Sequence, residues 1–102
     1  MEERRGQLVE RLRKAEQARD LLRELERLLK EDSPELERTL KQLDRLAQPL
    51  PEADRIRWFI ESAVGSARAD RSAKAGTDVS RSRSAIEGEL STLRGTIDHG
   101  VT

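Results

Sequence analysis

The segment from Leu8 to Leu29 constrains the fold more than any other part of the chain. It reads LVERLRKAEQARDLLRELERLL, with apolar residues recurring three, four or seven positions apart. Residues spaced in this way share one face of an α-helix. Val9, Leu21 and Leu28 widen that face, and most of the intervening residues are charged. So broad an apolar face needs at least two neighbouring helices to cover it.

The composition points to a single helical domain. The chain has 102 residues, of which 39% are charged, and its only aromatic residues are Trp58 and Phe59. Leu and Ala must therefore fill the interior, as they do in long helices and coiled coils. We expect one all-α domain over residues 1–102, with coiled-coil-like packing.

Breaks in the apolar pattern predict a helical hairpin followed by a further helical region. Helix 1 is predicted over 3–31 and helix 2 over 34–48, with Ser33 suited to an N-cap and Pro34 to the first helical position. The short connection predicts that these two helices pack antiparallel. The segment Gln48-Pro49-Leu50-Pro51 ends helix 2, and a third helix is predicted over 52–98.

Two arrangements of the third region are open, because residues 68–84 are rich in Ser, Ala, Arg and Asp. In the first, which we favour, one helix continues through 52–98, since a seam with three-and-four spacing persists along it. In the second, Gly76 ends the helix, a break covers 76–84, and a capping box from Ser84 to Glu87 opens a fourth helix of a four-helix bundle.

A continuous third helix of about 70 Å would extend well beyond a first helix of about 42 Å. Its far end would then need cover from another chain, most simply a second copy. Trp58, at the edge of the inner face, is interpreted as a core-edge or lid residue, which we favour, or as an interface hot spot. The candidate interface comprises Trp58, Val79, Ile86, Leu90, Leu93 and Ile97.

A second candidate site is the basic, serine-rich segment over 68–83. The planar guanidinium group of Arg donates paired hydrogen bonds that match the oxygens of a phosphate, so the segment could form an anion-binding groove between helices. The competing interpretation, which we favour, is a solvated helix face stabilised by its own i,i+4 ion pairs, such as Asp70 with Lys74. The candidate anion contacts are Arg68, Arg71, Lys74, Arg81 and Arg83.

The residue content disfavours several function classes. There is no Cys, His99 is the only histidine, and the formal net charge is zero. We therefore expect no catalytic, metal or cofactor site and no membrane span, in a cytoplasmic protein. Nucleic-acid binding through 68–83 is a third option, weaker than the two that follow, because the chain has no net positive charge. The favoured function is a non-enzymatic interaction or assembly module, such as a scaffold, adaptor or sequestering regulator, that forms a homodimer or binds a protein partner. The alternative is a module that senses a small anionic ligand or nucleotide around 68–83.

Overall fold

Four α-helices form the part of the chain that the computed structural model describes, which is residues 2–31, 33–69 and 73–99. They are α1 (Glu2–Glu31), α2 (Leu36–Ala47), α3 (Arg55–Ala69) and α4 (Ala73–Asp98), and these ranges contain no strand. The helices pack together in a body of 46 × 21 × 19 Å. Its long dimension matches the roughly 45 Å expected for the 30 residues of α1. The predicted all-α, bundle-like class is confirmed.

The α1–α2 connection forms the predicted hairpin but begins the second helix later. Ser33 donates its backbone N–H to the carbonyl of Leu28 at 3.1 Å, and its Oγ accepts the N–H of Glu35 at 3.3 Å. The predicted N-cap at Ser33 is wrong, because Glu35 holds the N-cap position of α2, which starts at Leu36 rather than at 34. Ser33 instead satisfies an N–H group of the turn before the helix. Leu21 and Leu46 line one cleft between the two helices, in an antiparallel register.

Asp54 fixes the start of α3. Its Oδ1 accepts the backbone N–H of Ile56 at 2.9 Å, and its carbonyl accepts the N–H of Trp58 at 3.2 Å. The Asp54 side chain is only 5% exposed, with Arg11 Nε lying 2.9 Å from Oδ2. That contact is a charge pairing rather than a well-directed hydrogen bond. It ties the beginning of α3 to α1, so α3 starts at Arg55 rather than at the predicted position 52.

The favoured single helix over 52–98 is wrong, because α3 ends at Ala69 and α4 begins at Ala73. The two helices pack side by side and antiparallel, with Arg55 Nη1 3.5 Å from Glu89 Oε1. The physical reason is the apolar stripe of α4. A straight helix would leave that stripe in water, whereas folding back buries it against α1 and α3.

The alternative of four helices is therefore the observed one, but its predicted break at 76–84 is misplaced. Gly76 and the Ser84–Glu87 segment lie inside α4. Ala75 and Val79, on either side of Gly76, are buried, and the burial of this seam offsets the cost of about 1 kcal/mol of a glycine in a helix.

The core runs along the centre of the bundle, where α1 packs against α2 and α4, and α3 packs against α2 and α4. The apolar face of α1 supplies Ala15, Leu22, Leu25 and Leu29, while Leu8 and Leu12 are half-buried. Ion pairs join α1 to α4 at its edge, between Arg94 and Glu16 and between Arg23 and Glu87. The broad face of α1 is thus covered by helices of the same chain.

Candidate functional site

Most of the predicted interface lies inside the bundle. Val79 and Ile86 are 0% exposed, Leu90 is 1% exposed and Leu93 is 7% exposed, all within the core. Ile97 is half-buried. These residues were expected to project toward another chain because the third helix was expected to be straight. The antiparallel packing of α4 removes them from the surface, and Trp58 alone of the six remains well exposed.

Trp58 is the most exposed large apolar side chain in the described part of the chain, at 63%. Its ring meets Phe59 edge-on, with the ring centroids 5.2 Å apart and the planes at 67°. The guanidinium carbon of Arg55 lies 5.9 Å from the centroid of the Phe59 ring. Phe59 is half-buried and holds the aromatic pair on α3. Trp58 thus presents an apolar surface and an indole N–H to solvent.

Trp58 stands at one end of a groove between α3 and α4. The groove has a volume of about 440 Å³. Ser62 and Ser66 follow Trp58 at intervals of four residues, on the same face of α3. The opposite wall comes from α4, and the complete lining is Trp58, Phe59, Ser62, Ser66, Asp78, Arg81, Ser82 and Ala85. Four of the eight lining residues have small side chains, so another helix can approach the backbone closely at those positions.

The groove holds one basic and one acidic side chain. Within the described part of the chain, neither Arg81 nor Asp78 forms a salt bridge. By contrast, Arg55 at the Trp58 end contacts Glu89 at 3.5 Å while its side chain stays 75% exposed. The lining therefore has no net charge, and neither Arg81 nor Asp78 is held in a salt bridge by another described residue.

The predicted anion contacts do not converge on one site. Arg68 binds Asp44 of α2 at 2.7 Å, whereas Arg83 binds Glu26 of α1 at 2.7 Å and Glu87 at 3.0 Å. Of the candidates that the structure describes, only Arg81 lines the α3–α4 groove. Two further candidates, Arg71 and the side chain of Lys74, lie outside the described residues. A phosphate at Arg68 or Arg83 would have to displace a carboxylate, so these contacts give the ligand-sensing alternative no support.

The Arg83 contacts form a network that joins α1 to α4. Glu87 accepts hydrogen bonds from Arg23 at 2.9 Å and from Arg83 at 3.0 Å. These bonds, with that from Arg23 the stronger, hold the pKa of the Glu87 carboxyl below its ordinary value against the opposing effect of burial. The hydrogen bond to Glu26 raises the pKa of the Arg83 guanidinium. This arrangement is a structural clamp between helices, with every charge compensated.

A larger cleft of about 770 Å³ lies elsewhere, between the first part of α1 and the α2–α3 connection. Its basic groups include Arg11, which already contacts Asp54. Its acidic group Glu10 accepts a hydrogen bond from Arg13 at 2.6 Å. Lys14 also lines this cleft and forms no salt bridge with a described residue, but the lining holds no aromatic side chain. This cleft is therefore a weaker candidate than the α3–α4 groove.

The described residues hold no group of three or more potential metal ligands among His, Cys, Asp and Glu. His99 is exposed, and its backbone N–H donates to the carbonyl of Gly95 at 3.0 Å. No helix among the described residues has the length and apolarity that crossing a bilayer requires.

Sequence reasoning singled out Trp58 and Arg81 but missed the groove between them. The signal was present in the spacing of Trp58, Ser62 and Ser66, which share a face of α3. No sequence pattern indicated which residues of α4 line the groove, because that depends on how α4 folds back against α3.

Comparison of the chain with protein-family models, with curated proteins and with solved structures found no match. The contacts of the described residues are thus the basis for assigning a function.

Proposed function

We propose that this chain is a non-enzymatic protein–protein interaction module that binds its partner in the α3–α4 groove. The observation that carries the proposal is the 63% exposure of Trp58 on a groove in which half of the lining residues are small. Trp is the residue most enriched among interface hot spots, and burying it gains both apolar contact and a hydrogen bond. A scaffold, adaptor or sequestering regulator needs such a surface and no catalytic group.

The arrangement of the groove supports binding of a helix. Small residues at Ser62, Ser66 and Ala85 permit close approach of a second backbone, while Trp58 closes one end. All of these positions lie on helices whose inner faces are packed in the core, so the groove is formed without a partner and less entropy is lost on binding.

A site-specific photo-crosslinker tests the proposal. Introduced at Ser62, in the groove, it should capture a discrete protein partner in the native extract, and Trp58→Ala should abolish that capture. The matched control places the same crosslinker at Gln42, an exposed position on the α1–α2 side. Equal capture from both positions, or capture that is indifferent to Trp58→Ala, would refute the proposal.

A further inference from the structure

The α3–α4 groove carries both halves of a complementary contact. At one end Trp58 projects with an aromatic face and an indole N–H. At the other end the lining is the small side chain of Ser66 beside the carboxylate of Asp78. A surface with a protruding group and a receiving position on the same face can pair with its own copy by a two-fold rotation.

We propose that the groove is occupied by a second copy of this chain, packed antiparallel about a two-fold axis that crosses α3 near Ser62. The inference rests on the proposed function and names its partner. Ser62 lies four residues from both Trp58 and Ser66, or about 6 Å along the helix in each direction. The rotation therefore places Trp58 of each copy over Ser66 of the other.

The charges of the groove agree with self-pairing. A two-fold axis of this kind also sets the two α4 helices antiparallel. Because Arg55 contacts Glu89, Ser82 of α4 lies level with Ser62. The rotation therefore places Asp78 of one copy about 7.5 Å along the helix from Arg81 of the other, which an extended arginine side chain can span. Neither group forms a salt bridge with another described residue, so pairing them breaks no contact that the structure describes. Since the lining contains one positive and one negative side chain, it matches its own copy better than a strongly acidic or basic partner.

Exchanging the protruding group and the receiving position tests the arrangement. Sedimentation equilibrium of the full chain should show a dimer, and Trp58→Ala should raise its Kd by about 30-fold or more. Ser66→Phe fills the receiving position and should weaken the dimer similarly. An equimolar mixture of these two variants should form a heterodimer, because the alanine of one variant leaves room for the phenylalanine of the other. Ser91→Phe, at an exposed position of α4 outside the groove lining, is the matched control and should keep the wild-type Kd.

A charge exchange provides a second measurement on side chains that lie outside the core, in case Ser66→Phe fails to fold. Arg81→Glu and Asp78→Arg should each raise the dimer Kd by about tenfold, whereas their mixture should associate as tightly as the wild type. The mixture restores two opposite-charge contacts across the axis. Recovery in either mixture supports self-pairing; no recovery from two variants that are folded by circular dichroism overturns it.

The association state of the chain and the crosslinking at Ser62 together distinguish this inference from the proposed function. A chain that is monomeric at every soluble concentration, yet captures a different protein through the crosslinker at Ser62, overturns self-pairing and leaves the interaction function standing. A dimer whose Kd is unchanged by both Trp58→Ala and Arg81→Glu overturns the groove as the dimer interface. If the crosslinker then also captures no partner, the proposed function fails with it.

Discussion

Leu90→Ala measures whether the apolar stripe of α4 is the core of this chain. Leu90 is 1% exposed within the continuous core cluster. The substitution removes three carbon groups, which at about 0.8 kcal/mol each amounts to roughly 2.4 kcal/mol of lost burial. The cavity that remains raises the cost to about 3–4 kcal/mol. A domain of this size has a free energy of unfolding of only about 5–15 kcal/mol, so the variant should lose a large fraction of its stability.

The assay is urea unfolding followed by circular dichroism at 222 nm, with thermal unfolding in parallel. At about 4–8 °C per kcal/mol, the Tm should fall by more than about 12 °C. Wild type and variant are compared at the same protein concentration. At urea concentrations below its unfolding midpoint, the variant should keep the association state of the wild type, because a buried residue makes no contact between copies.

Val9→Ala is the matched control, since Val9 is 46% exposed and also lies on a helix. It should change the free energy of unfolding by less than about 0.5 kcal/mol. If Leu90→Ala cost no more than this control, or dissociated a dimer while the chain stayed folded, the stripe would be an intermolecular surface. The antiparallel packing of α4 against α3 would then be wrong.

Three further predictions address single features of the bundle. Gly76→Ala should raise the free energy of unfolding by about 0.5–1 kcal/mol in urea titrations, because a Cβ built there has no heavy atom within 4 Å; a loss of stability would contradict the helical placement of this residue. Asp54→Ala should cost about 1–2 kcal/mol by removing the cap of α3, and Asp54→Asn, which keeps a capping oxygen, should cost less; equal losses in urea midpoint would show that the cap contributes nothing. Glu87→Gln should flatten the decline of stability on acidification. Because the pKa of Glu87 is lowered in the folded chain, its ionised carboxylate stabilises the fold above the unfolded pKa of about 4.3. This stability is lost as pH falls through the folded pKa. A urea midpoint that declines equally in wild type and variant between pH 6 and pH 3 would contradict this role.

Different parts of the fold were predictable to different degrees. The α1–α2 hairpin followed from local chemistry, because the apolar spacing of α1 and the Ser33-Pro34 turn both act within a few residues. The choice between one long helix and two packed helices was not local. It depended on whether burying the stripe around Ile86 and Leu90 outweighs interrupting a helix, and that balance is set by contacts with α1 that lie far away in sequence.

The candidate site shows the same division. Trp58 drew notice in the sequence as the only Trp, but its two interpretations could not be separated without its exposure. The basic segment looked like one cluster because its residues are close in sequence. In the bundle, Arg68 lies on α3 and pairs with Asp44 of α2, whereas Arg81 and Arg83 lie on α4. Arg81 and Arg83 also face different neighbours, because positions two residues apart on a helix point in different directions.

The amino-acid sequence by itself determined the all-α class and the α1–α2 hairpin, because helix periodicity, turn residues and a scarcity of aromatic residues act locally or through composition. Only the tertiary structure decided which helix covers each apolar face. Folding α4 back against α1 buries Val79, Ile86, Leu90 and Leu93, and it creates the α3–α4 groove beside Trp58. The physical reason is that burial is a property of pairs of helices: the free energy gained by an apolar stripe depends on which other stripe it meets.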